Sequence, residues 1–281
     1  MAEAALTRHV REGEPAPGAF SARRAAAVLE YCARVYRRNW RGTLFMTFLA
    51  PVLFLGAMGF GLGNFVTNSA SSGGVFGGGV SYAAFLAPGL LAATCMQTGA
   101  FEATYPIMGR IVWDKVYHAM LATPISVVDV IAGQFGWFSI RLGLVATAYL
   151  VVMVGFGLVH GGPLAVLVIP VGILTGLSFS SWIAAFAATQ QNDVGFSMIF
   201  RFLITPLFLF SGTFFPIDRL PAPLQPIALL TPTYHGVALT RELTLGTVQP
   251  LAALLHLAIL IAVVAAGIAA CRVTFRRALI K

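Results

Sequence analysis

The stretch LAALLHLAILIAVVAAGIAAC, residues 251–271, is a run of apolar residues that contains no formal charge. A helix of about 20 apolar residues crosses the roughly 30 Å hydrocarbon core of a bilayer. In the whole chain of 281 residues, 58% are hydrophobic and 10% are charged, whereas soluble domains carry about 25% charged residues. This composition argues against a soluble enzyme, a nucleic-acid binder and a disordered chain. It predicts an all-α integral membrane protein.

Six stretches are long and apolar enough to be predicted as transmembrane helices. They cover residues 44–63, 82–101, 130–159, 164–188, 196–215 and 251–271. An even number of spans places both termini on the same side of the membrane. We therefore expect a cytosolic tail over residues 1–21 and a six-span domain within residues 42–281.

The distribution of charge predicts which side the termini occupy. Eight arginines precede the first span and four basic residues follow the sixth, whereas the gaps at 64–81 and 160–163 carry no charge. By the positive-inside rule, both termini lie in the cytosol of a multi-pass plasma-membrane protein. The net charge of +8 is explained in this way without a nucleic-acid partner. The Gly/Ser-rich stretch 68–79 is predicted to be a flexible external loop.

Residues 22–41 have the pattern of a basic amphipathic helix that precedes the first span. At about 100° per residue, one face is apolar: Ala25, Val28, Leu29, Cys32, Val35, Tyr36 and Trp40. We expect this elbow helix to lie in the cytosolic membrane interface and to contact anionic headgroups. The residues predicted at that interface are Arg23, Arg34, Arg37, Arg38, Trp40 and Arg41. The alternative is a soluble helix packed on a partner.

The connection between spans two and three mixes charged, aromatic and apolar residues, and predicts a short cytosolic helix at about 112–122. Such a helix is a natural docking element for a soluble partner, although a surface helix without a partner remains an alternative. The candidate docking residues are Arg110, Trp113, Asp114, Lys115, Tyr117, His118 and Leu121.

Residues 216–249 are apolar but interrupted by several prolines. Two full spans do not fit in this length, and backbone broken so often cannot face lipid. We predict a re-entrant hairpin of short helices that dips into the outer leaflet, shielded by protein. Its Tyr234 and His235 are candidates for a pathway or gate.

Ionisable groups inside spans are functional candidates. Arg141 is predicted near the middle of span three, whereas Glu102 lies near the cytosolic end of span two. This difference in depth argues against a direct pair. Arg141 is predicted either to form a structural interhelical bond or to contact substrate or the gate. Span five contributes Phe208, Phe210 and Phe214, which are candidates for an aromatic wall around an amphiphilic substrate.

The chain carries no recognisable catalytic motif. It has only two lysines, Lys115 and Lys281, and neither follows a glycine, so a P-loop is absent from the sequence. The five histidines and three cysteines show no metal-ligand spacing. We therefore expect no catalytic, cofactor or metal site in this chain, and any ATPase that drives it must be a separate chain.

Several blocks of sequence together resemble the membrane subunit of type-2 ABC exporters, in the branch of nodulation-factor (lipo-chitooligosaccharide) and daunorubicin-type permeases. These are SYAAFLAPGLLA at 81–92, Phe101-Glu102, HAMLATPIS at 118–126, PLFLFSGTFFPIDRLP at 206–221 and LLTPTYHGVALTRE at 229–242. The resemblance covers about residues 25–281. It implies an elbow helix, six spans, a coupling helix, a re-entrant hairpin, and a homodimer bound to two ATPase subunits that use ATP and Mg²⁺.

These observations favour the permease subunit of an ATP-driven exporter for a lipid-linked, glycolipid, polysaccharide or drug-like amphiphilic cargo. The leading alternative is a membrane scaffold that anchors a cytosolic complex without transport. A secondary transporter is a third hypothesis, which the lack of a chain of intramembrane acids disfavours.

Overall fold

The computed structural model describes residues 20–38, 40–62 and 81–280. Most of the predicted cytosolic tail and the whole predicted external loop 68–79 lie outside these residues. All regular secondary structure in the described part of the chain is helical. The all-α prediction is therefore confirmed for these residues.

Twelve α-helices make up the described fold, and short π or 3₁₀ turns extend several of them. The first half comprises α1 (Ala22–Arg37), α2 (Trp40–Phe54), α3 (Tyr82–Glu102), α4 (Tyr105–Met108), α5 (Val116–Leu121) and α6 (Val127–Gly155). The second half comprises α7 (Val168–Ala187), α8 (Val194–Ile199), α9 (Thr205–Phe210), α10 (Gln225–Leu229), α11 (Pro232–Leu245) and α12 (Pro250–Leu279).

Five helical segments among the described residues are long and apolar enough to cross a membrane. They are Trp40–Ala57, Tyr82–Trp113, Val127–Gly155, Gly162–Ala187 and Pro250–Leu279. The predicted fifth span corresponds to a shorter apolar helix, Val194–Phe210, in which a π segment at Phe200–Ile204 separates α8 from α9. A sixth crossing at this place therefore remains a prediction.

Helix α7 is the centre of the bundle, because α3, α6, α11 and α12 all pack against it. Small residues permit this close packing, as is common between membrane helices. At the crossing of α3 and α7, a side chain added to Gly99 would collide with the backbone of Gly176. At the crossing of α7 and α12, a side chain added to Gly267 would collide with the side chain of Ser181.

The proline-rich region 216–249 folds as short helices. Pro232 occupies the first position of α11, the Thr231 hydroxyl accepts a hydrogen bond from the Tyr234 backbone N–H, and Gly246 ends the helix at φ +76°. Helix α11 packs against α3, α7 and α12, so it is held within the bundle. The arrangement of these helices as a re-entrant hairpin in a bilayer stays a prediction.

Two predicted boundaries differ from the structure. The elbow helix ends at Arg37, and Trp40 and Arg41 instead begin α2. The helix found at the place of the predicted coupling helix is α5, Val116–Leu121. It is shorter than the predicted 112–122 because Lys115 adopts the left-handed conformation (φ 51°) and interrupts the helix. Residues Gly109–Trp113 belong to the helical segment that continues from α3.

Candidate functional site

The elbow helix α1 runs alongside the first half of α6 in the same direction. Arg24 bonds to Asp129, and Tyr36 bonds to Arg141; both pairs are 105 positions apart in sequence. Between them, a side chain added to Gly133 would lie 2.6 Å from Cβ of Val28. A constant offset over three turns requires two nearly parallel helices. We call this contact, with its three layers of buried polar groups, the polar seam. The location of α1 in the membrane interface stays a prediction.

The first layer of the polar seam, here called the lowest, lies at the N-terminal end of α6 and stabilises the start of this helix. The fully buried Asp129 accepts hydrogen bonds from the backbone N–H of Ser21 at 2.7 Å and from Nε of Arg24 at 2.7 Å. It also accepts from the backbone N–H and hydroxyl of Ser126, which caps α6. Arg24 lies outside the apolar face that periodicity assigns to α1, yet this ion pair joins it to α6.

The middle layer joins three elements at one buried amide, Gln134 on α6. Its Oε1 accepts hydrogen bonds from a guanidinium nitrogen of Arg110, from the hydroxyl of Tyr117 at 3.0 Å, and from Sγ of Cys32 at 3.5 Å. Burial raises the pKa of Tyr117 to about 12, so its hydroxyl remains a donor. The coupling helix, the end of the α3 segment and the elbow helix thus share one acceptor.

One polar atom of this layer has no partner. Nε2 of Gln134 is buried and makes no hydrogen bond to any described residue. An unpaired buried donor costs roughly 1–3 kcal/mol.

The upper layer contains the ion pair that the sequence argued against. Nε of Arg141 lies 3.0 Å from Oε1 of Glu102, and a second nitrogen donates to the Tyr36 hydroxyl at 3.1 Å. Its guanidinium carbon also lies 4.8 Å from the centre of the Tyr36 ring. Arg141 therefore forms an interhelical bond, as one of its two predicted roles proposed.

The prediction of mismatched depth was wrong because both helical segments extend further toward the connection at 114–126 than hydropathy indicated. The α3 segment continues to Trp113, eleven residues beyond Glu102, and α6 begins at Val127, fourteen residues before Arg141. The two segments are antiparallel, so these similar offsets bring Glu102 and Arg141 to the same level.

The predicted docking residues divide into an exposed and a buried group. Trp113 is 59% exposed, and Asp114, Lys115 and His118 are also exposed. Tyr117 is fully buried behind them, Leu121 packs against the core, and Arg110 is partly buried beside Gln134. The exposed group, Trp113, Asp114, Lys115 and His118, is called the docking face below.

The candidate gate residues form two separate groups. Nδ1 of His235 lies 2.7 Å from Nδ1 of His256, and the Tyr234 ring packs edge-on against both imidazoles. Elsewhere, the rings of Phe208 and Phe214 have centroids 5.2 Å apart. The ring of Phe54 of α2 also packs against the rings of Phe208 and Phe214. Phe210, in contrast, is 42% exposed.

The sequence analysis did not predict the contacts of four polar residues that join helices in this fold. Gln134 and Tyr36 complete the polar seam, His256 completes the imidazole pair, and the partly buried Arg241 lies near the N-terminal end of α3. Arg241 donates to the carbonyls of Phe85 and Gly212, and its guanidinium carbon lies 3.7 Å from the centre of the Phe85 ring. A search for uncharged polar residues inside spans would have found Gln134, because it stands alone among apolar neighbours.

The fold and this site define the class of protein. Residues 25–245 match the family model described as ABC-2 type transporter, and the chain belongs to this family of transporter membrane proteins. The proteins to which this chain is similar include nodulation proteins of rhizobia. The chain is 34% identical to Nodulation protein J of Rhizobium leguminosarum bv. viciae over 235 residues, which is 80% of this chain and 86% of that protein. It is 32% identical to Nodulation protein J of Rhizobium leguminosarum bv. trifolii, covering 75% and 80%. It is 29% identical to that of Rhizobium meliloti (strain 1021), covering 76% and 80%.

Proposed function

We propose that this chain is the permease subunit of an ATP-driven exporter whose ATPase is a separate protein. Two copies of the chain and two ATPase subunits, which hold ATP and Mg²⁺, form the working complex. Its termini lie in the cytosol and it resides in the inner membrane. The cargo is a lipid-linked oligosaccharide or a similar amphiphile, as the resemblance of the sequence to nodulation-factor and daunorubicin-type permeases implies.

The observation that carries this proposal is the bond between Tyr117 and Gln134. The docking face lies on one side of the coupling segment, and Tyr117 lies on the other side with its hydroxyl 3.0 Å from Oε1 of Gln134. A force applied to the docking face is thereby transmitted to α6, a helix 29 residues long. A coupling device needs an exposed contact joined rigidly to a span in this way.

The polar seam extends the connection toward the membrane. Gln134 and Arg141 are seven residues apart on α6, which corresponds to about 10 Å along a helix axis. The elbow helix is bonded to α6 above and below this interval, at Tyr36 and Arg24. Elbow helix, coupling helix and the first half of α6 therefore move as one unit when the ATPases close.

The outer surface of the bundle leaves room for a second copy and for cargo. Only 11% of the apolar window of Trp40–Ala57 and 22% of that of Pro250–Leu279 is buried, compared with 78% for Tyr82–Trp113. The exposed faces of α2 and α12 are therefore available to lipid or to another copy. The Phe54, Phe208 and Phe214 rings provide apolar contacts for an amphiphile that leaves toward the outside.

The test reconstitutes the chain with the ATPase encoded beside it, in inverted vesicles. ATP-dependent uptake of a fluorescently labelled lipo-chitooligosaccharide and ATP hydrolysis are measured together. We expect the Trp113→Ala/His118→Ala double variant to lose ATPase binding and uptake. The matched control is His160→Ala/Leu164→Ala, which removes two exposed side chains at the turn preceding α7 and should retain both.

Three outcomes contradict the proposal. The first is failure of the wild-type chain to co-purify with the ATPase, and the second is uptake that continues without ATP and stops with a proton uncoupler. The third, association with the ATPase without uptake of any amphiphile tested, supports the scaffold alternative. Deletion of the hairpin 216–249 sharpens that distinction, because a scaffold has no need of it.

A further inference from the structure

A groove with a volume of about 910 Å³ lies between the coupling region and the last turns of α12. One wall is formed by the end of α5 and the start of α6, with Leu121, Val128 and Ile131 among its residues. The opposite wall is the end of α12 from Arg272 to Ile280. The residues of the docking face do not line this groove, and of the polar-seam residues named above only Ser126 does, so the proposed coupling mechanism leaves the groove unexplained.

The polar groups of the groove are predominantly cationic. Arg272, Arg276 and Arg277 line it, and no acidic residue does. All three are exposed, and none forms an ion pair with any described residue. The nearby Asp129 is already occupied by Arg24, Ser21 and Ser126. The groove therefore holds three positive charges without a counter-ion from the described chain.

The remaining walls are apolar and lie at the edge of the membrane span. Arg272 is the first formally charged residue after the apolar run 250–271 of α12. Val128 and Ile131 of α6 and Val273 of α12 are among the apolar residues that line the groove. In the proposed orientation, the arginines lie at the level of cytosolic headgroups, with the apolar walls beside them.

We propose that this groove binds an anionic phospholipid of the inner leaflet. Its phosphate contacts Arg272 and Arg276, and the start of an acyl chain packs on Val128, Ile131 and Val273. Basic pockets between helices on the cytoplasmic side of membrane proteins recognise anionic headgroups in this way. An ATPase surface is the competing occupant; the apolar walls at the end of a span favour lipid, because a soluble partner does not reach membrane depth.

Bound lipid here would join α12 to the coupling region. The groove has α5 and α6 on one side and α12 on the other, so a lipid between them stabilises their relative position. The proposal depends on the orientation given above, but it does not depend on cargo, on transport or on an ATPase. Lipid binding is therefore measured on the purified chain alone.

The experiment titrates the detergent-purified chain with phosphatidylglycerol, and with phosphatidylcholine as the neutral lipid, while bound lipid is counted by native mass spectrometry. We expect phosphatidylglycerol to bind and to raise the unfolding temperature, and phosphatidylcholine to do neither. One basic residue near an anionic lipid surface strengthens binding about five-fold. Arg272→Gln/Arg276→Gln should therefore weaken binding by about 25-fold.

Three further variants distinguish a specific lipid-binding site from general electrostatic attraction. Arg201→Gln/Arg219→Gln removes the same charge from two exposed arginines outside the groove and should leave the affinity within two-fold. Arg272→Lys/Arg276→Lys keeps the charge and should bind nearly as well as wild type. Val128→Trp fills the groove without a change of charge and should abolish tight binding.

The proposal is overturned if the groove variant and the control double variant weaken phosphatidylglycerol binding equally. It is also overturned if Val128→Trp binds this lipid like wild type, or if both lipids stabilise the chain equally. Loss of ATPase association with unchanged lipid binding in Arg272→Gln/Arg276→Gln assigns the groove to the ATPase instead. Failure of export with intact lipid binding contradicts only the proposed function.

Discussion

The guanidinium of Arg141 and the carboxylate of Glu102 form an ion pair, with Nε and Oε1 3.0 Å apart, between two antiparallel helical segments. Tyr36 of the elbow helix completes the contact by accepting a hydrogen bond from the same guanidinium. Three chain segments that are distant in sequence therefore meet at the guanidinium of Arg141. The side chains of Arg141 and Glu102 are 10% and 19% exposed, so neither charge is well solvated if the other is lost.

Removal of one partner of this ion pair should destabilise the chain more than removal of both. Arg141→Gln leaves a poorly solvated carboxylate, which we expect to cost about 3 kcal/mol. Glu102→Gln/Arg141→Gln leaves no unpaired charge and should cost less than half of that. The measurement is the free energy of unfolding in detergent micelles, and equal losses in the single and double variants would contradict a pair that matters for stability.

The Tyr117 hydroxyl should matter for coupling more than for folding. Tyr117→Phe removes the donor to Oε1 of Gln134 but preserves the ring, so stability should fall by only about 1 kcal/mol. We expect ATP hydrolysis to continue while the amount of cargo moved per ATP falls several-fold.

The matched control for that variant is Tyr105→Phe. Tyr105 packs its ring against Phe101 and Phe196, and its hydroxyl makes no hydrogen bond with the Gln134 layer. This variant should leave the transport-to-hydrolysis ratio unchanged. A parallel fall in hydrolysis and transport in Tyr117→Phe would show that the hydroxyl has no specific role in coupling.

Asp129→Asn should loosen the elbow helix. The substitution weakens the capping box of α6 and removes the ion pair with Arg24, so we expect a loss of about 2–3 kcal/mol. Proteolysis within α1 should become faster in the same variant. Asp193→Asn is the control, because Asp193 precedes α8 without a side-chain capping bond; a similar loss there would refute the assigned role of Asp129.

The crossing of α3 and α7 should not tolerate a methyl group. Gly99→Ala places a Cβ against the carbonyl of Gly176, and overpacking of this kind costs about 1–3 kcal/mol. Gly155→Ala is the control, since no heavy atom of another residue lies within 4 Å of the added Cβ. The comparison is read from thermal unfolding of the two variants, and equal unfolding temperatures would contradict the close crossing.

The sequence by itself determined the membrane class, the helical fold and the approximate position of most spans. Apolar runs such as 251–271 are local signals, because a bilayer requires every span to be long, apolar and internally hydrogen-bonded. The docking segment was also visible, since charged and aromatic residues interrupt the apolar pattern between two spans. The family resemblance followed from the order of several motifs.

Only the tertiary structure decided which polar groups meet. Hydropathy assigned Glu102 and Arg141 to different depths, because it detects apolar runs and not the continuation of the α3 segment to Trp113. Periodicity separated the faces of α1 but did not reveal that Arg24 reaches Asp129. Gln134 is uncharged, so a search for ionisable residues inside spans does not find it, yet it bonds to α1, α5 and the α3 segment. Such contacts depend on the register between helices, and that register is fixed by packing at small residues such as Gly133, whose partners lie far away in the sequence.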